Sequence, residues 1–245
     1  EVRMPWWWGW WRGGYTGQSQ EIAHGSVSTR TDGSFEVEFE AKPDPKVLAK
    51  NEPTFVFEVN ADVTDTTGET RSSGQQIRLG YTALEAVMSA GPWQSTGQPV
   101  EVKVVTRTLD GEPQVAEGSI KLHALNAPGS VQRVPIGGED EDLDGLPDDE
   151  MSSTDKWPLG NVISEQGFTT DTNGVGKVTF TLPAGAYRAV LETRDRFGKV
   201  VTGLLPVQVV DPNANRLATR IPFLVAAPRW DLQPGDEFMA LWGTG

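Results

Sequence analysis

Apolar and polar residues alternate with a period of two along most of this chain. Ser34-Phe-Glu-Val-Glu-Phe39, Thr54-Phe-Val-Phe-Glu-Val59 and Val100-Glu-Val-Lys-Val104 each put every second side chain on one apolar face. Residues 119–123, 177–182, 187–191 and 204–210 continue the pattern. A pleated strand sends successive side chains to opposite faces, so this alternation makes strands with one buried side rather than helices. Between the runs, Asp32-Gly33, Thr67-Gly68, Asp110-Gly111, Asn173-Gly174 and Phe197-Gly198 supply turn chemistry. Only residues 79–89 have helical appeal, and Gly80 and Gly91 bracket them poorly. The chain is therefore expected to be all-β, built of tandem immunoglobulin-like antiparallel β-sandwiches.

The length of 245 residues suits two domains, and 9 Trp and 9 Phe give ample material for cores. The net charge is −13, from 21 basic and 34 acidic residues. That balance argues against nucleic acid and against anionic membrane surfaces, both of which attract basic patches. No apolar run is long enough to span a bilayer. Without cysteine the chain has no disulfide, zinc–thiolate site or thiol nucleophile.

An internal repeat organises the sequence. Thr31-Asp-Gly33 followed by Val37 and Phe39 matches Thr172-Asn-Gly174 followed by Val178 and Phe180, and Asp65-Thr-Thr-Gly68 matches Asp195-Arg-Phe-Gly198. The offsets are 141 and 130 residues, taken at the glycines. Trp93-Gln-Ser-Thr-Gly97 with 100–102 likewise parallels Trp230-Asp-Leu-Gln-Pro-Gly235 with 238–241. These matches predict a first domain over 1–91, a second over 92–226, and the first strand of a third over 227–245. Residues 129–160 form an acidic insertion in the second. The chain is expected to be a segment of a longer protein, its first domain short of an opening strand. Pro92, Pro222 and Pro228 fall near the junctions, where a fixed φ favours stiff connections.

Two stretches stand apart from the alternation. Residues 139–150 hold eight carboxylates and no base, and without them the net charge would be −5. Asp140, Asp142 and Asp144 alternate, Gly145 follows and Asp148 comes four places after Asp144, as in the opening of a calcium loop. A bidentate Glu should stand twelfth, where Met151 is found, and Glu150 is one residue early. The same stretch also reads as a solvated acidic insertion. A structural calcium ion would raise the melting temperature in millimolar calcium over that in EDTA, and equal temperatures would exclude it.

Trp6, Trp7, Trp8, Trp10 and Trp11 put five indoles in six positions. Exposed, such rings bind sugars; packed, they fill the core or meet a neighbouring domain, and the second reading is favoured because large apolar patches usually mark protein contacts. Catalysis has little support. His24 and His123 lie in different predicted domains, and no nucleophile elbow, metalloprotease helix or phosphate loop occurs. No catalytic residue is expected.

Several pieces resemble the macroglobulin-type domains of the bacterial alpha-2-macroglobulin family: residues 6–14, Gly68-Glu-Thr-Arg71, Gly80-Tyr-Thr-Ala-Leu84, Phe168-Thr-Thr-Asp171, 185–198 and 224–238. The resemblance runs over nearly the whole chain outside the acidic loop. It implies seven-stranded sandwiches that surround a protease after it cuts a bait segment. A Cys-Gly-Glu-Gln thioester captures the protease in many members, and a cysteine-free chain cannot supply it. The resemblance thus implies a non-catalytic scaffold, secreted, periplasmic or at the cell surface. Its partners would be neighbouring domains and, for the whole protein, the target protease. Two other readings stay open: a calcium-stabilised adhesin repeat and a carbohydrate-binding accessory module.

Overall fold

The computed structural model describes the backbone of Val2 and Arg3 and residues 20–47, 53–133 and 153–245. The strands are β1 (Val2–Arg3), β2 (Thr54–Thr64), β3 (Thr70–Gly80), β4 (Glu85–Ala90), β5 (Val100–Arg107), β6 (Glu117–Leu125), β7 (Leu159–Thr169), β8 (Val175–Phe180), β9 (Gly185–Arg194), β10 (Val200–Val209), β11 (Leu224–Ala226) and β12 (Leu241–Gly243). Every ladder between them is antiparallel. The one helical element among the described residues is a 3-10 turn, Thr154–Lys156. The fold is all-β, as the alternation predicts.

Two compact units emerge, one of Glu1–Ala83 with Thr108–Glu112 and one of Leu84–Arg107 with Pro113–Gly245. In the first, β1-β2-β3 form one sheet, and the long hairpin β2–β3 turns at Asp65-Thr-Thr-Gly68. The Phe39 and Phe57 rings stand 5.8 Å apart there. The alternating run 34–39 has no strand assignment. Alternation marks the face a strand would bury, but a strand also needs a ladder partner for its N–H and C=O groups.

The second unit is a sandwich of β4-β5-β8 and β10-β9-β6-β7. Here β4, on the N-terminal side of Gly91, pairs with β5 along its whole length. Burial follows the pleat: Val100, Val102, Val104 and Thr106 point inward from β5, while Glu101, Lys103 and Arg107 point out. Ile120, Leu122, Ala189 and Leu191 meet them from the other sheet at 0% exposure. Burying a side chain of this size stabilises by about 1.5–3 kcal/mol, so this shared interior dominates the unit's stability. The outer faces carry ion pairs such as Lys177–Glu101 at 2.9 Å and Arg107–Glu85 at 2.7 Å. These are half-exposed pairs of small net worth.

One turn design recurs. In Asp195–Lys199 the Asp195 N–H donates to the Lys199 carbonyl and the Gly198 N–H to the Asp195 carbonyl, both at 2.9 Å. The Asp195 Oδ1 accepts from the Phe197 and Lys199 amides, also at 2.9 Å. Asp171–Val175 repeats all four bonds, and so does Asp65–Glu69, where Thr67 Oγ1 adds a fifth at 2.7 Å. This is the three-residue hairpin loop, closed by a residue with positive φ, a place that Gly68, Gly174 and Gly198 all fill. At Asp171–Val175 the chain also changes sheets, since β7 pairs with β6 and β8 with β5.

The accepted hydrogen bonds hold the Asp65 and Asp171 carboxyls below their ordinary value, led by the Thr67 hydroxyl in the first case and the Val175 amide in the second. A depressed folded-state pKa means stability that is fully present above the unfolded value, about 3.9, and is lost as pH falls through the folded one. Stability measured from pH 6 down to pH 2 should therefore stay level to about pH 4 and then decline. Asp171→Asn keeps an oxygen acceptor but no titrating group, so it should shrink the acid loss of the second unit. An unchanged acid slope would show that this turn does not contribute.

At the start of β9, Tyr187 is 5% exposed and its hydroxyl donates to the Pro183 carbonyl at 2.8 Å. Burial pushes the phenol pKa up. A tyrosine that bonds back to the corner before its own strand is a device of Greek-key sandwiches. Tyr187→Phe leaves that carbonyl without its partner and should cost about 1–2 kcal/mol in denaturant unfolding. A midpoint equal to that of the parent chain would contradict the role.

Candidate functional site

Asp140, Asp142, Asp144 and Asp148, like Trp6, Trp7, Trp8, Trp10 and Trp11, lie outside the described residues. Among the described residues no three His, Asp or Glu side chains gather in a way that could hold a metal ion. His24 is exposed beside Glu21 at 3.1 Å, in the first unit. His123, in the second, has its Nδ1 3.0 Å from the Gly160 carbonyl, so Nδ1 bears the proton and donates it. This bond ties β6 to β7 beside the register shifts at Leu122, His123 and Leu125.

A shallow recess of about 750 Å³ opens at one end of the four-stranded sheet, between Glu117, Ser119, Gly167, Glu192, Arg194 and Arg196. Its buried polar groups are bound to the backbone around them. Thr193 Oγ1 donates to the Glu117 carbonyl at 2.6 Å, and Asp195 holds its turn. Next to the recess, Thr106 and Thr170, at 0% and 2% exposure, join their hydroxyls at 2.8 Å. Thr106 Oγ1 also reaches the Gln114 carbonyl at 2.6 Å, and Thr170 Oγ1 accepts from the Ala116 amide at 2.8 Å. A buried hydroxyl left unpaired is costly, and these bonds explain why threonines occupy core positions here. Their chemistry is that of a structural knot: no base stands against either hydroxyl in these bonds.

Residues 153–157 follow the acidic run and fall within the insertion that the sequence predicts over 129–160. Trp157 is instead 1% exposed. Arg188, on β9, pins the 3-10 turn before it, with Nη2 donating to the Thr154 carbonyl at 2.7 Å and the Asp155 carbonyl at 2.9 Å, and Nη1 to the Trp157 carbonyl at 3.4 Å. Burial pulls the Arg188 pKa down, and the Asp155 charge opposes it. In the sequence, Arg188 reads only as an outward position of an alternating strand. Its use as a backbone clamp has no local signal.

The last hairpin, β11–β12, presents the other notable surface. Val225 and Trp242 face each other across the ladder, at 54% and 84% exposure. Phe223 and Phe238 are exposed as well, and Phe238 stands 5.9 Å from the Trp230 ring. The chain matches no protein-family model and no curated protein.

Proposed function

We propose that this chain is a non-catalytic scaffold segment of an alpha-2-macroglobulin-like protease-trapping protein, built of immunoglobulin-like, macroglobulin-type sandwiches. One observation carries the reading: the Asp-x-x-Gly half of the sequence repeat is matched in strand register, while residues 34–39 form no strand to match β8. Adding 130 to both residues of a β2–β3 pair turns Phe55↔Leu79 into Gly185↔Val209 and Thr64↔Thr70 into Arg194↔Val200, both of them pairs of β9–β10. Two stretches of chain thus share strand, turn and pairing, as copies of one module would.

The order of the sandwich agrees. Its seven strands, β4 to β10, divide three and four, and the fourth, β7, pairs with the third, β6, rather than with the fifth, β8. The Thr106, Thr170, Thr193 and Asp195 side chains of this unit bond its backbone, which suits a wall that transmits force rather than a site that turns over substrate. In such a protein the sandwiches would lie outside the cell membrane, next to similar domains, and meet the protease only as part of the whole trap.

The test uses the whole natural protein that contains this segment, mixed with an endopeptidase. A trap leaves hydrolysis of a small chromogenic peptide intact while it abolishes digestion of a large protein substrate. Undiminished digestion of both would refute the reading.

A further inference from the structure

One face of the terminal hairpin is occupied by its own chain: a Cβ on Gly243 would stand 3.5 Å from Leu217 Cγ. The opposite face is open: Val225 and Trp242 face each other on it at 54% and 84% exposure, and Phe223 and Phe238, in the chain flanking the two strands, are 76% and 54% exposed. The ladder Leu224↔Gly243, Val225↔Trp242, Ala226↔Leu241 has a counterpart in Val87↔Val105, Met88↔Val104, Ser89↔Lys103. The shifts are 137 residues on the first strand and 138 on the second, the same as between Trp93 and Trp230 and between Gly97 and Gly235. Carried along both strands, they set Phe223 on Ala86, Val225 on Met88, Phe238 on Val100 and Trp242 on Val104. Those four counterparts are at most 8% exposed, because the sheet β10-β9-β6-β7 covers them.

We infer that the open face of β11–β12 is the inner surface of an opening hairpin, and that its partner is a four-stranded antiparallel sheet with an apolar alternating face. Polypeptide joined to the C-terminal side of Gly245 supplies that sheet. A second copy of this chain has no such sheet free, since Ile120, Leu122, Ala189 and Leu191 on its equivalent are already sealed at 0% exposure. The inference rests on register and exposure and is independent of the protease-trap reading.

The absence of cysteine makes a direct test available. Val225→Cys gives the 245-residue chain a unique thiol, and in a longer chain any other cysteine is first replaced by serine. In the 245-residue chain it should react with a maleimide at the rate of a free exposed thiol. In the natural polypeptide continued by about 100 residues, the length of one more domain, it should react at least ~100-fold more slowly, because reaction then waits for opening of the folded state. Met239→Cys, shifted onto the outward-facing Glu101, should stay reactive in both. If the Val225 variant of the longer chain does not fold, Phe223→Cys is the probe, since its counterpart Ala86 is small. Three results overturn the proposal: fast labelling in a folded extension, a natural chain that ends before the added strands, or slow, concentration-dependent labelling of the 245-residue chain itself, which would reveal a self-paired face.

Discussion

Replacing Gly174 with alanine should destabilise the second unit by about 3–5 kcal/mol, while Gly198→Ala in the same kind of turn should cost about 1–2 kcal/mol. Both glycines close an Asp-x-x-Gly loop with positive φ, +69° for Gly174 and +79° for Gly198. Their surroundings differ. A Cβ on Gly198 would meet nothing within 4 Å, so the substitution there carries only the backbone penalty. A Cβ on Gly174 would clash with the Thr106 carbonyl oxygen, a backbone atom that no rotamer change can move. That carbonyl also accepts from the Gln114 amide, and the Thr106 amide donates to the Gly174 carbonyl, so relief of the clash pulls on the threonine knot. Urea unfolding of the two variants, followed by an optical probe of the second unit, should separate them clearly. Equal losses would show that turn conformation alone, and not the approach to Thr106, sets the cost.

Trp157→Ala should cost about 3–5 kcal/mol, the range for removing a fully buried aromatic. The side chain is among the largest of those sealed from solvent, at 1% exposure, and it follows the turn that Arg188 clamps. Arg188→Met should remove the bonds to the Thr154 and Asp155 carbonyls while it keeps most of the stem. It therefore serves to separate the clamp from the packing. A Trp157→Ala chain as stable as its parent would mean that the Trp157 side chain contributes nothing to the packing of the second unit.

The residues that announced themselves in the sequence are those whose environment is set locally. The inward face of β5 was legible because Val100, Val102 and Val104 alternate with Glu101 and Lys103, and the turns because Asp and Gly fix their own backbone geometry. By contrast, β3 reads Thr-Arg-Ser-Ser-Gly-Gln-Gln over its first seven residues and has little apolar period; it is a strand because the Asp65–Glu69 turn folds it back onto β2. The edge strand β7 pairs on one side only, is largely exposed, and meets β6 with its register shifted twice, so no alternation marks it. Trp157 and Arg188 were hidden for another reason. Their contact joins segments 31 residues apart, and nothing near either residue encodes it. The predicted calcium and tryptophan sites fall outside the described residues.

The second unit holds together because its two sheets share one interior. Native-state hydrogen exchange across a denaturant series tests this most directly. The account predicts that the slowest amides of β5 and β8, in one sheet, and of β6 and β9, in the other, open together, with one free energy and one denaturant slope. Separate openings for the two sheets, each with its own smaller slope, would contradict it.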